Sequence, residues 1–457
     1  MKWVVEINEE LKRMGDGGIE LVKWKKHSIY KLPTSVTELN RKAFSPQTVS
    51  FGPYHRKDDR LKGMKEHKRR ALLHFLKRCG KPIESLVHRL DQIVQDLYDS
   101  YEPLDPFWRE DIPRFLKLMI LDGCFMLEIM RFDTRTAPYD GYDPDDPVFS
   151  NHGRLHIIPY IKRDMFVLAN QLPMMLLQTL IEFEVTNTTT QTQQVEKLLN
   201  KLILQFFSSD ISSVERMGKC VHALDVYRKS LVKNKNGGAP TPSTSTSTST
   251  STSTSTRRRK KDKTRPNQLR SVTELNEAGI SFKNSKSSRI TDVSFKGGVL
   301  KLPVVDVDDS MDTRFLNLIA FERFHVGAGN EVTAFVFFMD SIINHERDVA
   351  LLHSKGIIRN GLGSDKAVAD LFNSLSRETA VDQGSTLEVE VQKIINYYRK
   401  PWNKWRANLF ETYCRNPWVL ISFLQPFSFS DSLLFRQCIA CFRTIRSLLL
   451  LLLALIQ

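Results

Sequence analysis

The chain has 457 residues, 41% of them hydrophobic and 26% charged, which excludes disordered and collagen-like classes and predicts roughly two to three domains' worth of core. Six cysteines are too few for a disulfide scaffold, and Met1-Lys2-Trp3-Val4-Val5-Glu6 lacks an apolar signal region, so reduced thiols facing the cytosol are expected. The formal net charge is +14, but residues 54–78 and 257–270 each carry +7 and the rest of the chain balances, which argues against a nucleic-acid-binding body.

Residues 1–28 form a polar N-terminal extension, and residues 29–230 are mainly helical in pattern. Ser35-Val36-Thr37-Glu38 has capping-box spacing. In the first basic segment Leu61, Met64, Ala71, Leu72, Phe75 and Cys79 recur at three- and four-residue steps. Lys62, Lys65, Arg69, Arg70 and Lys77 fall mostly on the other side, as in a solvated helix face. Asp133–His156 has no sustained apolar period and predicts a long loop, whereas Met165–Leu180 and Val195–Phe207 predict helices. His67 and His74 share a helix face but stand two turns apart, too far for one ion. His152 and His156 have metal-compatible spacing only if their stretch is helical, and with no matched third ligand for either pair no metal is expected. Asn187-Thr188-Thr189 is a glycosylation sequon that means little without a secretory signal.

Residues 231–268 predict a disordered linker, because the Ser-Thr repeat from Ser243 to Thr256 has nothing apolar to bury. It ends in Arg257, Arg258, Arg259, Lys260 and Lys261, a basic contact patch that suits nuclear import or an anionic lipid surface and lies beside phosphorylatable residues. No aromatics interleave with these charges and no zinc or helix-turn-helix spacing accompanies them, so no nucleic-acid partner is expected.

Residues 269–422 open on Ser271-Val272-Thr273-Glu274-Leu275-Asn276, which repeats residues 35–40 and reads as a second capping box. Thr291, Val293 and Phe295 alternate, Lys296-Gly297-Gly298 turns, and Leu300, Leu302 and Val304 alternate again, which predicts a hairpin. Helices are predicted through Arg314–Phe324, Thr333–His353, Ser364–Leu375 and Val389–Tyr413.

The acidic cluster Asp306, Asp308, Asp309 and Asp312 fails as an EF-hand loop, since Met311 and Asn317 stand where Gly and Glu are needed; helix capping and the macrodipole explain it. Gly361-Leu362-Gly363 precedes a helix capped by Ser364 or Asp365, but Lys366 replaces the third glycine of a dinucleotide fingerprint and no strand pattern precedes it. No nucleophile signature is present, so neither a catalytic residue nor a cofactor is expected.

Trp402, Trp405 and Trp418 suit either a core stripe or a membrane-interface belt. The tail, residues 423–457, contains Leu433–Ile456, where 14 Leu, Ile or Phe residues favour insertion and Arg436, Arg443 and Arg446 oppose it. It permits a membrane anchor, an interfacial helix or a buried C-terminal helix, and Cys438 and Cys441 within it are candidates for lipidation.

Six segments together resemble one plant family, the domain-of-unknown-function 247 proteins (uncharacterised protein family 0481). They are Val49–His55, Leu121–Glu128, Asn170–Pro173, Phe338–Ile343, Gly356–Ile358 and Trp402–Ala407. The resemblance covers about residues 29–422 and implies a mostly helical protein with a C-terminal membrane segment and no established enzymatic activity. Two departures stand out: Ala169 where the family usually has Glu before Asn-Gln-Leu-Pro, and a tail that is not one uninterrupted apolar helix.

The expectation is therefore a mainly α protein, a helical body with a small β-hairpin or sheet element in its second half and an apolar C-terminal tail. It is expected to be a non-enzymatic interaction or recognition protein at the plasma membrane or an endomembrane, with an unidentified protein partner. The alternative is a soluble regulator, nuclear or cytosolic, acting through its basic linker. An enzyme is the third option and would require Asp122, Glu128, Asp340 and His345 to converge.

Overall fold

The apolar stripe in the first basic segment winds that segment into a helix, α1 (Lys65–Cys79), in the computed structural model of the chain. The structure describes residues 26–102, 104–136, 141–185, 192–232, 269–376 and 386–401, with a few positions near the N-terminus. After α1 come α2 (Ile83–Asp91), α3 (Val94–Asp99), α4 (Ile112–Thr134), α5 (Asn151–His156), α6 (Ile158–Asp164), α7 (Met174–Glu184), α8 (Thr192–Phe206) and α9 (Ala223–Leu231). Helix α4 is the axis of this half, and α1, α7 and α8 pack against it. Asp111 caps it by accepting from the Arg114 N–H, Pro113 sits in its first turn where no donor is needed, and nearly every residue from Phe115 to Phe132 is buried. A helix apolar on all sides in this way belongs inside a core.

The second half runs α10 (Val272–Glu277), β1 (Ser281–Asn284), β2 (Ser294–Lys296), β3 (Val299–Leu302), β4 (Val305–Val307), α11 (Met311–Phe324), α12 (Glu331–Ile342), α13 (Glu346–Ser354), β5 (Ile358–Asn360), α14 (Asp365–Leu375) and α15 (Thr386–Tyr398). The predicted hairpin is present as β2 and β3, antiparallel with Phe295 opposite Leu300. Strand β1 adds to it in parallel, with Phe282 also opposite Leu300, so one apolar face is buried. A second sheet pairs β4 with β5 in parallel, across the crossover formed by α11, α12 and α13.

The two halves share one continuous apolar core. Asn317 on α11 ties them at the backbone: its side chain accepts from the Leu168 N–H at 2.8 Å and donates to the Ala43 carbonyl at 2.8 Å. Arg228 on α9 reaches Glu322 on α11 at 2.7 Å and Glu331 on α12 at 2.6 Å. Glu322 also accepts from the Val332 and Thr333 N–H groups, so this nearly buried ion pair is hydrogen-bonded on both sides.

Several sequence expectations are corrected. Ser35 makes no cap: the single turn Thr34–Thr37 starts after Pro33, whereas the Ser271–Glu274 box forms reciprocally. The presumed loop Asp133–His156 ends in α5, because Ser150 accepts from the Gly153 N–H and starts a helix that periodicity over six residues could not reveal. Met165–Leu180 is not one helix, since Pro173 and the extended Gln171 delay α7 until Met174. Thr333–His353 breaks between α12 and α13, where Asp348 accepts from the Asn344 and His345 N–H groups. Strand β5 does precede Gly361, and Ser364 caps α14 by accepting from the Ala367 N–H. Among the described residues α15 ends at Tyr398.

Candidate functional site

Three of the recognised segments meet at one place: the loop Val49–His55, the middle of α4, and the turn Asn170–Pro173. The loop has no regular structure of its own, so its peptide groups need outside partners. Buried side chains supply five of them, three N–H groups and two carbonyls. Asp164, the last residue of α6 and fully buried, accepts from the Gln47, Thr48 and Val49 N–H groups at 2.9, 2.6 and 2.9 Å. Asn170 accepts from the Phe51 N–H at 2.6 Å and donates to the Val49 and Asp164 carbonyls. Asp122 on α4 accepts from the Gly52 N–H at 2.8 Å, and Lys68 on α1 donates to Asp122 at 2.7 Å and to the Ser50 carbonyl. Gln171 donates to the Val167 carbonyl at 3.0 Å and accepts from the Leu224 N–H at 3.1 Å, which carries the network to α9.

Gly52 is required here on two counts. Its φ of +70° lies in the left-handed region, and an added Cβ would sit 2.8 Å from the Tyr101 hydroxyl oxygen. That hydroxyl donates to the Gln171 carbonyl at 3.2 Å, so it has little room to retreat. Burial pushes the carboxyls of Asp122 and Asp164 upward; Lys68 and the Gly52 amide oppose this at Asp122, and the three loop amides and Arg163 oppose it at Asp164.

A second polar cluster lies one and a half turns along α4. Glu128 pairs with Arg78 of α1 and accepts from the Tyr142 hydroxyl at 3.3 Å, while Glu184 of α7 pairs with Arg78 and Arg131. Burial works against the Glu184 carboxylate, but Arg131 and Arg78 outweigh it and hold the carboxyl below its usual range. Arg70 pairs with the buried Asp146 at 2.6 Å. Part of the first +7 segment is thus neutralised by the rest of the fold: Lys68, Arg70 and Arg78 pair with carboxylates outside it, while Arg60 and Lys62 pair with Asp58 and Asp59 within it. Lys62, Lys65, Arg69 and Lys77 are exposed as expected, but Arg70 is half-buried, and Lys68 lies on the buried face with Ala71 and Phe75.

The four residues named for an enzyme each serve different partners. Asp122 and Glu128 hold the two clusters just described. Asp340, half-buried on α12, has its carboxyl pushed up by burial against a hydrogen bond with Ser376, and the His345 N–H donates to Asp348 at the start of α13. In the acidic cluster Asp306 pairs with Arg359, Asp308 accepts from Ser310 and pairs with Arg314, and Asp312 accepts from Asn40. Among the described residues no three His, Cys, Asp or Glu side chains are placed to hold one metal ion, and no single helix is long and apolar enough to cross a membrane. The pair Ile158–Asp164 and Leu168–Glu184 passes that test only together, bent by 112°, and most of its residues are buried in the core. Arg257, Arg258, Arg259, Lys260, Lys261, Trp402, Trp405, Trp418, Cys438 and Cys441 lie outside the described residues.

Lys68 and Asp164 were missed in the sequence, although each carries a signal. Lys68 stands in register with the apolar stripe of α1, and Asp164 falls three residues after Ile161 and directly before the apolar Met165-Phe166-Val167-Leu168. An ionisable residue at such a position needs a specific partner in the core.

The architecture defines a class: a mainly helical protein with small sheets in its second half, organised about a buried polar network that fastens one irregular loop to three helices. The family profile of DUF247, described as a plant protein of unknown function, matches residues 29–427, and the chain belongs to that family. It is 28% identical to the UPF0481 protein At3g47200 of Arabidopsis thaliana, over 86% of this chain and 82% of the relative. It is 21% identical to a second UPF0481 protein of that plant, At3g02645, over 93% of this chain and 91% of the relative. No solved structure matches the chain.

Proposed function

We propose that this family member is a non-enzymatic protein that acts by interaction or recognition, held at a plant plasma membrane or endomembrane by its apolar C-terminal stretch, with the helical body in the cytosol. The observation that carries the non-enzymatic part is how the polar side chains around the motif loop are engaged. Asp122, Asp164, Asn170 and Gln171 all bind the chain's own backbone or a neighbouring cation. Catalytic acids and bases need at least one reactive atom facing a substrate. The membrane reading draws on the apolar length of Leu433–Ile456, whose insertion balance is close to break-even because of its arginines, with Trp402, Trp405 and Trp418 ahead of it as candidate interface residues and Cys438 and Cys441 as candidate lipidation sites.

Membrane fractionation of the full chain against a truncation after Ser422 tests this. The full chain should pellet with membranes and resist a high-salt wash, while the truncated chain stays soluble. Full-length protein in the soluble fraction would sink the membrane reading. If replacing Arg257, Arg258, Arg259, Lys260 and Lys261 with Ser moved such soluble protein out of the nucleus, the basic linker would be its address.

A further inference from the structure

We propose that the solvent face of α5 is a two-histidine site for a divalent first-row transition-metal ion, tightest for copper(II) and weaker for nickel(II) and zinc(II). This does not depend on the reading above. The structure meets the condition that His152 and His156 share a helix: they lie four residues apart on α5, with ring centroids 4.6 Å apart and planes tilted by 42°. Both residues are exposed, and neither ring takes a hydrogen bond or ion pair among the described residues. Four other imidazoles are differently placed. His67 binds Arg70, His74 stacks on Tyr142, and His222 and His325 are engaged with backbone carbonyls.

The helix that presents the pair is fixed from beneath. Ser150 accepts from the Gly153 N–H at 3.1 Å, and Arg154 donates to the Phe132 carbonyl at 3.2 Å. Gly153, on the buried side between the two histidines, packs so closely that an added Cβ would lie 2.1 Å from the Val148 carbonyl oxygen. Only the two imidazoles therefore need to adjust. Metal–imidazole bonds of about 2.0–2.1 Å meeting near a right angle call for ring nitrogens roughly 2.9 Å apart. Rotation about the side-chain bonds brings tilted rings on adjacent turns to that separation. Imidazole is a ligand of borderline ions, and with two protein nitrogens and the remaining positions left to water the site follows the general affinity order that peaks at copper(II).

The test titrates copper(II) chloride, and separately zinc(II) chloride, into the full chain. The readouts are calorimetry and, for copper, the nitrogen hyperfine pattern in electron paramagnetic resonance. One copper should bind with two imidazole nitrogens. His152→Gln and His156→Gln should each weaken the site by about 100-fold, because the second nitrogen acts at high effective concentration, and each should leave a one-nitrogen signal. His88→Gln, which removes an exposed histidine on α2, should change nothing. Unchanged affinity in either α5 variant, or an equal loss in His88→Gln, would overturn the proposal. Circular dichroism of the metal-free variants separates a lost ligand from a lost helix, and since both side chains are exposed no loss is expected there.

Discussion

Replacing Asp122 with Ala removes the acceptor at the centre of the buried network. It leaves the Lys68 ammonium, whose side chain is 10% exposed, with only the Ser50 carbonyl and the face of Phe51 at 5.5 Å, and it leaves the Gly52 N–H without a partner. Breaking a buried pair from one side costs about 3–5 kcal/mol, and an orphaned buried amide about 1–3 kcal/mol. Because the two penalties share one relaxation of the loop, about 4 kcal/mol is expected, a large part of a typical 5–15 kcal/mol stability. Lys68→Met should cost less, about 1–3 kcal/mol, because Asp122 keeps the Gly52 amide and its carboxyl, already pushed up by burial, can take a proton. The Lys68→Met/Asp122→Leu double variant removes both charges and should be milder than the sum of the single variants by about 2 kcal/mol. Hydrogen exchange of the peptide spanning residues 47–54 reads this locally. A loss of about 4 kcal/mol in opening free energy corresponds to roughly 1,000-fold faster exchange in Asp122→Ala. Unchanged protection, or single-variant effects that add within about 0.5 kcal/mol, would show that the ion pair does not hold the loop.

Gly52→Ala forces a Cβ into the left-handed region and against Tyr101, and should lower stability by about 2–3 kcal/mol in thermal melts. Adding Tyr101→Phe should recover part of that loss, and no recovery would refute the steric account. His222 is fully buried, with Nε2 donating to the Ser28 carbonyl and Nδ1 accepting from the Asp225 N–H, and burial pulls its imidazole down to about 4. The unfolded chain binds that proton near 6.5 and the folded chain does not, so stability is fully present above about 6.5 and declines as the pH falls towards 4, by an order of 3 kcal/mol. His222→Asn should flatten that slope in urea titrations between pH 7 and 4, and an unchanged slope would place the acid sensitivity elsewhere.

The helices and the hairpin were legible because their burial is periodic. Phe75 and Ala71 follow the helical repeat in α1, and Phe295 and Leu300 follow the strand repeat. What escaped detection was short or non-local. Strand β1 shows only Phe282 buried, and it exists because β3 offers it an edge 18 residues away. Strands β4 and β5 are three residues each and find one another across three helices, a pairing no local window contains. The second strand-like run also ends sooner than its alternation implies, because Val304 leaves the hairpin and its N–H donates to the Ser287 carbonyl.

The candidate site was legible as motifs and illegible as a mechanism of folding. Resemblance selected Val49–His55, Leu121–Glu128 and Asn170–Pro173, but nothing in one dimension says that the first is an irregular loop read amide by amide by residues 70 to 120 positions away. The better local clue was chemical. Asp122 sits in Leu121-Asp122-Gly123-Cys124-Phe125, inside a helix too apolar to have a wet side, and Lys68 occupies a buried position of α1. Two opposite charges, each at a core position of a different helix, have few ways to be tolerated other than facing each other. Charge compensation alone therefore pairs α1 with α4. It also recasts the first +7 segment: the basic residues that matter for the fold are those withdrawn from the surface, and the charge left outside is that of Arg56, Lys57, Lys65, Arg69 and Lys77, for which no carboxylate partner is found among the described residues.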